Sequence, residues 1–242
     1  MSGHWLAIDT ATSVASVAVG RPPAVEAAGH VEGARRHAAE LLRLVDFCLG
    51  RAAVTPKDLE GIVIGDGPGS FTGLRIGWAT AKGLAQETGV EVRAVPSLMA
   101  VAAGVAASAG EGPVAVWFDA LRGQVYAATY VIHTERVETL LAPRLIRPED
   151  CAREAPYRPL AVAGDGAVRY ADAATQWSGR PPVVAAVTQG AVMLLALLAR
   201  GAGSAIDDFA AAEPEYGRPA EAQVKWEARH GRPLPDPSRP SR

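Results

Sequence analysis

Cysteine is nearly absent from this chain. Cys48 and Cys151 are the two in 242 residues, far apart, with no C-x-x-C and no histidine pair beside either, which excludes a disulfide framework and a zinc ribbon. Lysine is also scarce: of 24 Lys and Arg only Lys57, Lys82 and Lys225 are lysine, a bias we assign to composition. Neither sign of charge dominates. The 24 cations face 26 Asp and Glu, a net charge of -2, so the chain lacks the basic body needed to hold nucleic acid unaided, and any RNA connection needs a partner. No long apolar run occurs. The richest, Ala191 to Ala199, is too short to span a bilayer, and Met1-Ser2-Gly3-His4 has neither a basic nor an apolar leader region, so the expected location is cytoplasmic, with no membrane partner. Catalytic signatures are missing too. There is no G-x-S-x-G, H-x-x-x-H or H-E-x-x-H, and His4, His30, His37, His133 and His230 are scattered, so no catalytic residue and no metal ligand is nominated.

What is present is globular composition: 49% hydrophobic, 21% charged, 25 Gly and 18 Pro, with a mean hydropathy of +0.09. The length fits one large domain or two modest ones, and two is the expectation. Trp5–Asp9, Ser13–Val19 and Ala24–Val31 read as a three-strand meander. Arg35–Leu49 follows as an amphipathic helix, with Ala38, Leu41, Leu42, Val45 and Leu49 at helical spacing and Gly50 as its stop. Then come strand Ile62–Gly65, helix Leu74–Glu87, strand Val90–Val95 and helix Ser97–Ser108. A meander feeding βα units makes a mixed sheet flanked by helices. After Gly110-Glu-Gly-Pro113 the pattern restarts with strands Val114–Asp119 and Gln124–Val131. A strand at Leu160–Ala163, a helix near Ala167–Ala174, a strand at Val183–Val187 and the apolar helix Gly190–Arg200 complete it. We expect an N-terminal domain over 1–110, a second over 111–212, and an Arg/Pro-rich tail over 213–242 that frays.

Three segments and one further residue, Asp119, are candidates for chemistry. Asp9, Thr10 and Thr12 at a strand end could form a phosphate turn, with hydroxyls near the anion and a carboxylate for a metal-bound water, or simply end a strand and cap a turn. Such a turn prefers glycine at its tightest point, where this chain has Ala11. Gly65-Asp-Gly-Pro-Gly-Ser70 leads into a helix, with Ser70 and Thr72 as candidate caps, but it matches neither the P-loop nor the strict dinucleotide fingerprint. Within that helix Gly73, Gly77, Ala81 and Gly83 form a small-residue stripe, each glycine costing up to about 1 kcal/mol against alanine. Interior helical glycines need a packing reason, either the chain's own sheet or a partner. Finally, Arg36-His37 precedes Glu40 on one helix face, and Asp119 ends a strand before Arg122-Gly123.

Taken together, Leu6-Ala-Ile-Asp9-Thr-Ala-Thr12, Arg36-His37 with Leu41-Leu42, the eleven-residue string from Gly67 to Gly77, Ala81-Lys82-Gly83-Leu84-Ala85, Pro96-Ser-Leu98 and Asp119-Ala-x-x-Gly-Gln-Val-Tyr126 resemble the TsaB (YeaZ-like) family. The likeness resumes weakly at Gly164-Asp-Gly166 and Pro214-Glu-Tyr216-Gly-Arg218. It implies the actin/hexokinase/Hsp70-like (ASKHA) fold, an α/β architecture of two related domains, each with a mixed sheet flanked by helices. It also implies a cytoplasmic, catalytically silent paralogue of TsaD that binds and activates TsaD, joined by the ATPase TsaE, in adding threonylcarbamoyl to the adenosine next to the anticodon of ANN-decoding tRNAs (t6A). On that reading tRNA is met only through the complex. There is no intrinsic cofactor, with ATP or ADP lodging only at the junction with TsaD. Where the paralogue carries a metal-binding H-x-x-x-H, this chain has Ser97 and Val101. Ala38 stands where a serine commonly follows the Arg-His pair. The alternative is an ATP-dependent enzyme or a glycoprotease-like metallopeptidase of the same fold.

The expected docking face joins the two helices in a four-helix arrangement with TsaD, or in a homodimer when the chain is alone. Its residues are Arg36, His37, Leu41, Val45, Phe71, Leu74, Arg75, Gly77, Trp78 and Lys82.

Overall fold

The computed structural model describes residues 2–33, 36–185, 187–217 and 229–231. The elements in chain order are β1 (His4–Asp9), β2 (Val14–Arg21), β3 (Ala24–Glu32), α1 (His37–Arg51), β4 (Leu59–Gly65), α2 (Phe71–Thr88), β5 (Glu91–Val95), α3 (Ser97–Ala109), β6 (Pro113–Asp119), β7 (Val125–Ile132), β8 (Val137–Ile146), α4 (Cys151–Glu154), β9 (Ala161–Ala163), α5 (Asp165–Arg169), α6 (Ala171–Ser178), α7 (Gly190–Leu198) and β10 (Ser204–Ala205). One sheet has the order β10-β5-β4-β1-β2-β3 and the other β8-β7-β6-β9. In each sheet an antiparallel meander is continued by a strand parallel to its first member: β1 pairs antiparallel with β2 and parallel with β4, and β6 does the same with β7 and β9. This duplicated mixed-sheet plan is the actin/hexokinase-like architecture.

Alternation along the strands builds the layers. In β1, Trp5 and Ala7 face one way and Leu6 and Ile8 the other, and all four are fully buried. Leu6 and Ile8 join Val17, Ile62 and Ile64 beneath the outer helices α1 and α2, through Leu41, Val45, Cys48, Trp78 and Ala81. Trp5 and Ala7 face a middle layer of α3 and α7, whose other side meets Val114, Val116, Tyr126 and Tyr130 of the second sheet. The outer face of that sheet carries Trp117 and Val162 against α4 to α6. The molecule therefore has five layers: helices, sheet, helices, sheet, helices. Helices α3 and α7 are apolar nearly all round because the two sheets cover most of their surface.

The middle helices are exchanged between the halves. Helix α3, from the first half, lies on β6, β7 and β9, whereas α7, from the second, returns to β1, β2 and β4, and β10 rejoins the first sheet beside β5. A division at 110/111 accordingly does not partition the helices. Strand β8 had no expectation; it is an edge strand interrupted by Pro143, with exposed residues and register shifts that dilute its period. The strand expected at Val183–Val187 reduces to a single bridge, Ala163 to Val183. Helix α2 starts three residues before the expected Leu74, because Ser70 accepts from the Gly73 amide at 3.2 Å and caps it earlier. Most of the tail, 218–228 and 232–242, lies outside the described residues.

The glycine ladder of α2 has an intramolecular cause. A Cβ at Gly69 would fall on the Ala11 carbonyl, one at Gly73 on the Thr10 carbonyl and one at Gly77 on the Thr10 hydroxyl, whereas one at Gly83 meets nothing within 4 Å. We expect Gly73→Ala to destabilise the fold by about 1–3 kcal/mol through overpacking. Gly83→Ala should instead stabilise it by about 0.5–1 kcal/mol. Urea unfolding at concentrations where the chain is monomeric reads both.

Candidate functional site

The turn after β1 is closed. Asp9 is buried, and its Oδ1 accepts from the Ala11 amide at 3.2 Å, an Asx turn, and from the Ser97 hydroxyl at 3.0 Å. Ser97 is the first residue of α3, and its hydroxyl oxygen also accepts from the Gly67 amide at 3.3 Å. A Cβ at Gly65 would fall on Asp9 Oδ1 and one at Gly190, the first residue of α7, on Asp9 Oδ2, so two glycines make room for the carboxyl. It lies beside the starts of α3 and α7, where helix N-termini favour negative charge. Thr10 is buried under Gly73 and Gly77, and the Thr12 hydroxyl bonds only locally, to the Val14 amide at 3.1 Å and the Val14 carbonyl at 3.2 Å. Burial raises the Asp9 pKa above the ordinary carboxylate value, against the lowering effect of its hydrogen bonds.

The second half repeats this turn with different partners. Asp119 Oδ1 accepts from the Leu121 amide at 3.1 Å, as Asp9 does from Ala11, while its Oδ2 pairs with Arg169 at 2.6 Å and its amide donates to Asp165. Each parallel strand then runs into Gly-Asp-Gly, at Gly65-Asp66-Gly67 and at Gly164-Asp165-Gly166. Between the two turns, Ala11, Leu74, Phe118, Ala120 and Tyr126 pack into one apolar cluster. Val101, at a position compared above with a metal ligand, lines an apolar cleft of about 160 Å³ with Val105, Val184 and Met193. Among the described residues no three His, Cys, Asp or Glu side chains group in a way that could hold a metal ion.

The outer layer corrects the expected docking residues. Leu41, Val45, Leu74, Gly77 and Trp78 point inward: the first two and Trp78 fill the core over the first sheet, Leu74 joins the middle cluster, and Gly77 abuts Thr10. Lys82 is also engaged. Its Nζ donates to the Ala210 and Ala212 carbonyls at 2.9 and 2.6 Å and lies over the Phe209 ring. Of the apolar positions read on α1, the fold buries Leu41 and Val45 and leaves Leu42 outside. The outward stripe is Ala39, Leu42, Arg43, Asp46 and Phe47, with Leu42 57% and Phe47 56% exposed. On α2 it is Thr72, Arg75, Ala79 and Gly83, continued by the exposed Phe71. Arg36 is exposed and within 3.9 Å of Glu40, and the His37 side chain lies outside the described residues. The two helices pack side by side, so the stripes form one face.

Comparison with known proteins follows this geometry. A family model, TsaD, described as tRNA N6-adenosine threonylcarbamoyltransferase, matches residues 31–171. The tRNA threonylcarbamoyladenosine biosynthesis protein TsaB of Bacillus subtilis is 29% identical over 223 residues, 91% of this chain and 96% of that one. The TsaB of Escherichia coli is 36% identical over 148 residues, 58% of this chain and 63% of that one. The solved structure of YeaZ from Pseudomonas aeruginosa superposes with a TM-score of 0.74 at 30% identity, covering 89% of this chain and 100% of that one. The chain belongs to the TsaB/YeaZ family. Among its described residues no helix is long and apolar enough to cross a membrane.

The buried carboxyl of this family member gives a pH test. Because the folded state holds the Asp9 proton to higher pH than the unfolded chain does, Asp9 makes the fold less stable as pH rises from the ordinary carboxylate value through its raised one. Relative to Asp9→Asn, the native chain should lose stability as pH rises above the ordinary carboxylate range, read by urea unfolding at several pH values. A pH-independent difference excludes titration of Asp9 above that range.

Proposed function

We propose that this chain is a non-catalytic subunit in the formation of threonylcarbamoyladenosine in tRNA, and that it binds and activates a TsaD-type relative through the outward faces of α1 and α2. The observation that carries this reading is the outward stripe itself: two large apolar side chains, Leu42 and Phe47, beside Ala79 and a glycine, Gly83, that no described residue requires. Small residues on a helix let a second helix approach closely. The TsaD family model spanning both helices supports a partner of that class. A relative on the same plan offers a similar pair, and like faces close around a two-fold axis into four helices, with a second copy of this chain taking the place when the relative is absent.

The closed turn supports the non-catalytic part. Asp9 is committed to Ala11 and Ser97, and Thr10 is covered by α2, so neither is presented to a nucleotide phosphate. Any ATP or ADP belongs on this reading to the junction with the relative, where TsaE, the family's ATPase, also joins. With a net charge of -2 the chain releases few counterions from RNA and meets tRNA through the complex.

Gly83→Leu should leave the monomer folded, with a melting temperature no lower than that of the unaltered chain, and abolish co-purification with the TsaD-type relative. Threonylcarbamoyl transfer to tRNA by that relative should require the unaltered chain and fail with the variant. Native affinity in Gly83→Leu overturns the docking face, and robust ATPase or peptidase turnover by the isolated chain overturns the non-catalytic reading in favour of an enzyme. Submicromolar tRNA binding by the isolated chain at physiological salt would contradict binding through the complex.

A further inference from the structure

After β10 the chain does not leave the body but runs back across α2 as a strap, residues 206–217. The Ile206 amide donates to the Val92 carbonyl at 3.0 Å, and Phe209 is buried against Trp78 with ring centroids 5.1 Å apart. Lys82 holds two strap carbonyls, and the Glu215 amide donates to the Asp66 carbonyl at 3.0 Å. Tyr216 then lays its ring on Phe71 with centroids 4.7 Å apart, and its hydroxyl donates to Glu213 at 2.9 Å. The Arg75 guanidinium lies over the other partner of that pair, 4.9 Å from the Phe71 ring centroid.

Arg75 therefore belongs to two structures at once. It is part of the outward stripe of α2, and it is stacked on an aromatic pair of which one ring comes from the strap. Among the described residues no carboxylate lies within ion-pair distance of it: Glu213 is taken by Tyr216, and Glu215 accepts from the Gly217 amide at 3.0 Å. A free, solvated arginine loses rotamer freedom when a partner captures it, whereas one held on a ring loses less. Arginine and aromatic side chains are also the types that dominate interface energies.

We propose that the strap is a specificity element of the docking face: Tyr216 holds Phe71 and Arg75 in place so that the guanidinium receives a carboxylate of the TsaD-type partner. This rests on the docking reading above and extends it. Tyr216 acts as a positioning residue and Arg75 makes the contact. The carboxylate is the occupant because a stacked guanidinium keeps in-plane N–H donors for a planar, two-oxygen acceptor, and no described residue places a carboxylate within ion-pair distance of it. The strap adds Glu213 at the edge, which repels a partner bearing an acidic group in the wrong register.

The test is a double-mutant cycle on binding to the TsaD-type relative by titration calorimetry, with circular dichroism melting of every variant. Tyr216→Ala and Arg75→Ala should each weaken binding about tenfold, and the double variant should be little weaker than either single one, because the two act through one contact. Tyr216→Phe keeps the ring contact with Phe71 and removes the hydroxyl that also interacts with the Arg75 guanidinium, so it should weaken binding less than Tyr216→Ala does. Phe71→Leu keeps apolar volume but removes the ring beneath the guanidinium, and it should match Arg75→Ala, which serves where Tyr216→Ala fails to fold. Binding by Tyr216→Ala and Phe71→Leu equal to the unaltered chain, or losses that simply add to that of Arg75→Ala, overturns the inference while the helix-face reading stands on Gly83→Leu. Absence of any binding by the unaltered chain overturns both.

Discussion

The structure depends on the approach of one helix backbone to one turn. Gly69, Gly73 and Gly77 lie where side chains would strike Ala11 and Thr10, and that contact fixes the rotation of α2 about its own axis. With positions 73, 77 and 81 committed inward, positions 72, 75, 79 and 83 point outward by the 3.6-residue period alone. The direction of the face we assign to docking is thus a consequence of the contact that covers Thr10. The two properties proposed for this chain, a closed turn and an open helix face, have one geometric cause.

The halves have diverged around a common plan. Both turns place a carboxylate oxygen on the amide two residues later, and both parallel strands end in Gly-Asp-Gly. Asp9 is buried and held by a hydroxyl, whereas Asp119 stays nearer the surface and is neutralised by Arg169. Burial of Asp9 without a cation beside it works against its charged form. The helices differ as well. In the first half the Gly-Asp-Gly leads into the 18 residues of α2, while in the second it leads into the five of α5 before the chain breaks at Tyr170. The first half therefore has the longer outer helix on which a second protein can pack.

Strong periods made most of the fold legible in the sequence. The meander, α1, α2, α3, β6, β7 and α7 carry apolar patterns that the layers then use, and their limits shift by one to three residues at most ends. What was hidden depends on the third dimension. The period of α1 offered Leu41, Leu42 and Val45 alike, and only the sheet beneath decides which of them is covered. The stripe of small residues in α2 likewise mixed two kinds of glycine: Gly73 and Gly77 answer to Thr10, Gly83 to none of the described residues. Pairings such as Asp9 with Ser97 and Phe71 with Tyr216 span 88 and 145 positions, and no local signal announces them.

The fold's feature for attracting anions is answered from within. Starts of helices carry partial positive charge and unsatisfied amides, and in this molecule the starts of α3 and α7 meet beside the end of β1. The Asp9 carboxyl occupies that place, with Gly65 and Gly190 shaped around it and Ser97 donating to it. An external phosphate at the same place would have to displace a covalently tethered anion and would meet its charge while Asp9 is ionised. Reopening the turn would also require α2 to withdraw from Thr10, which would uncover Trp78 and loosen the strap packed on it. Loss of nucleotide chemistry and gain of a rigid outer face are on this reading coupled changes, since the same helix that covers the turn presents the stripe.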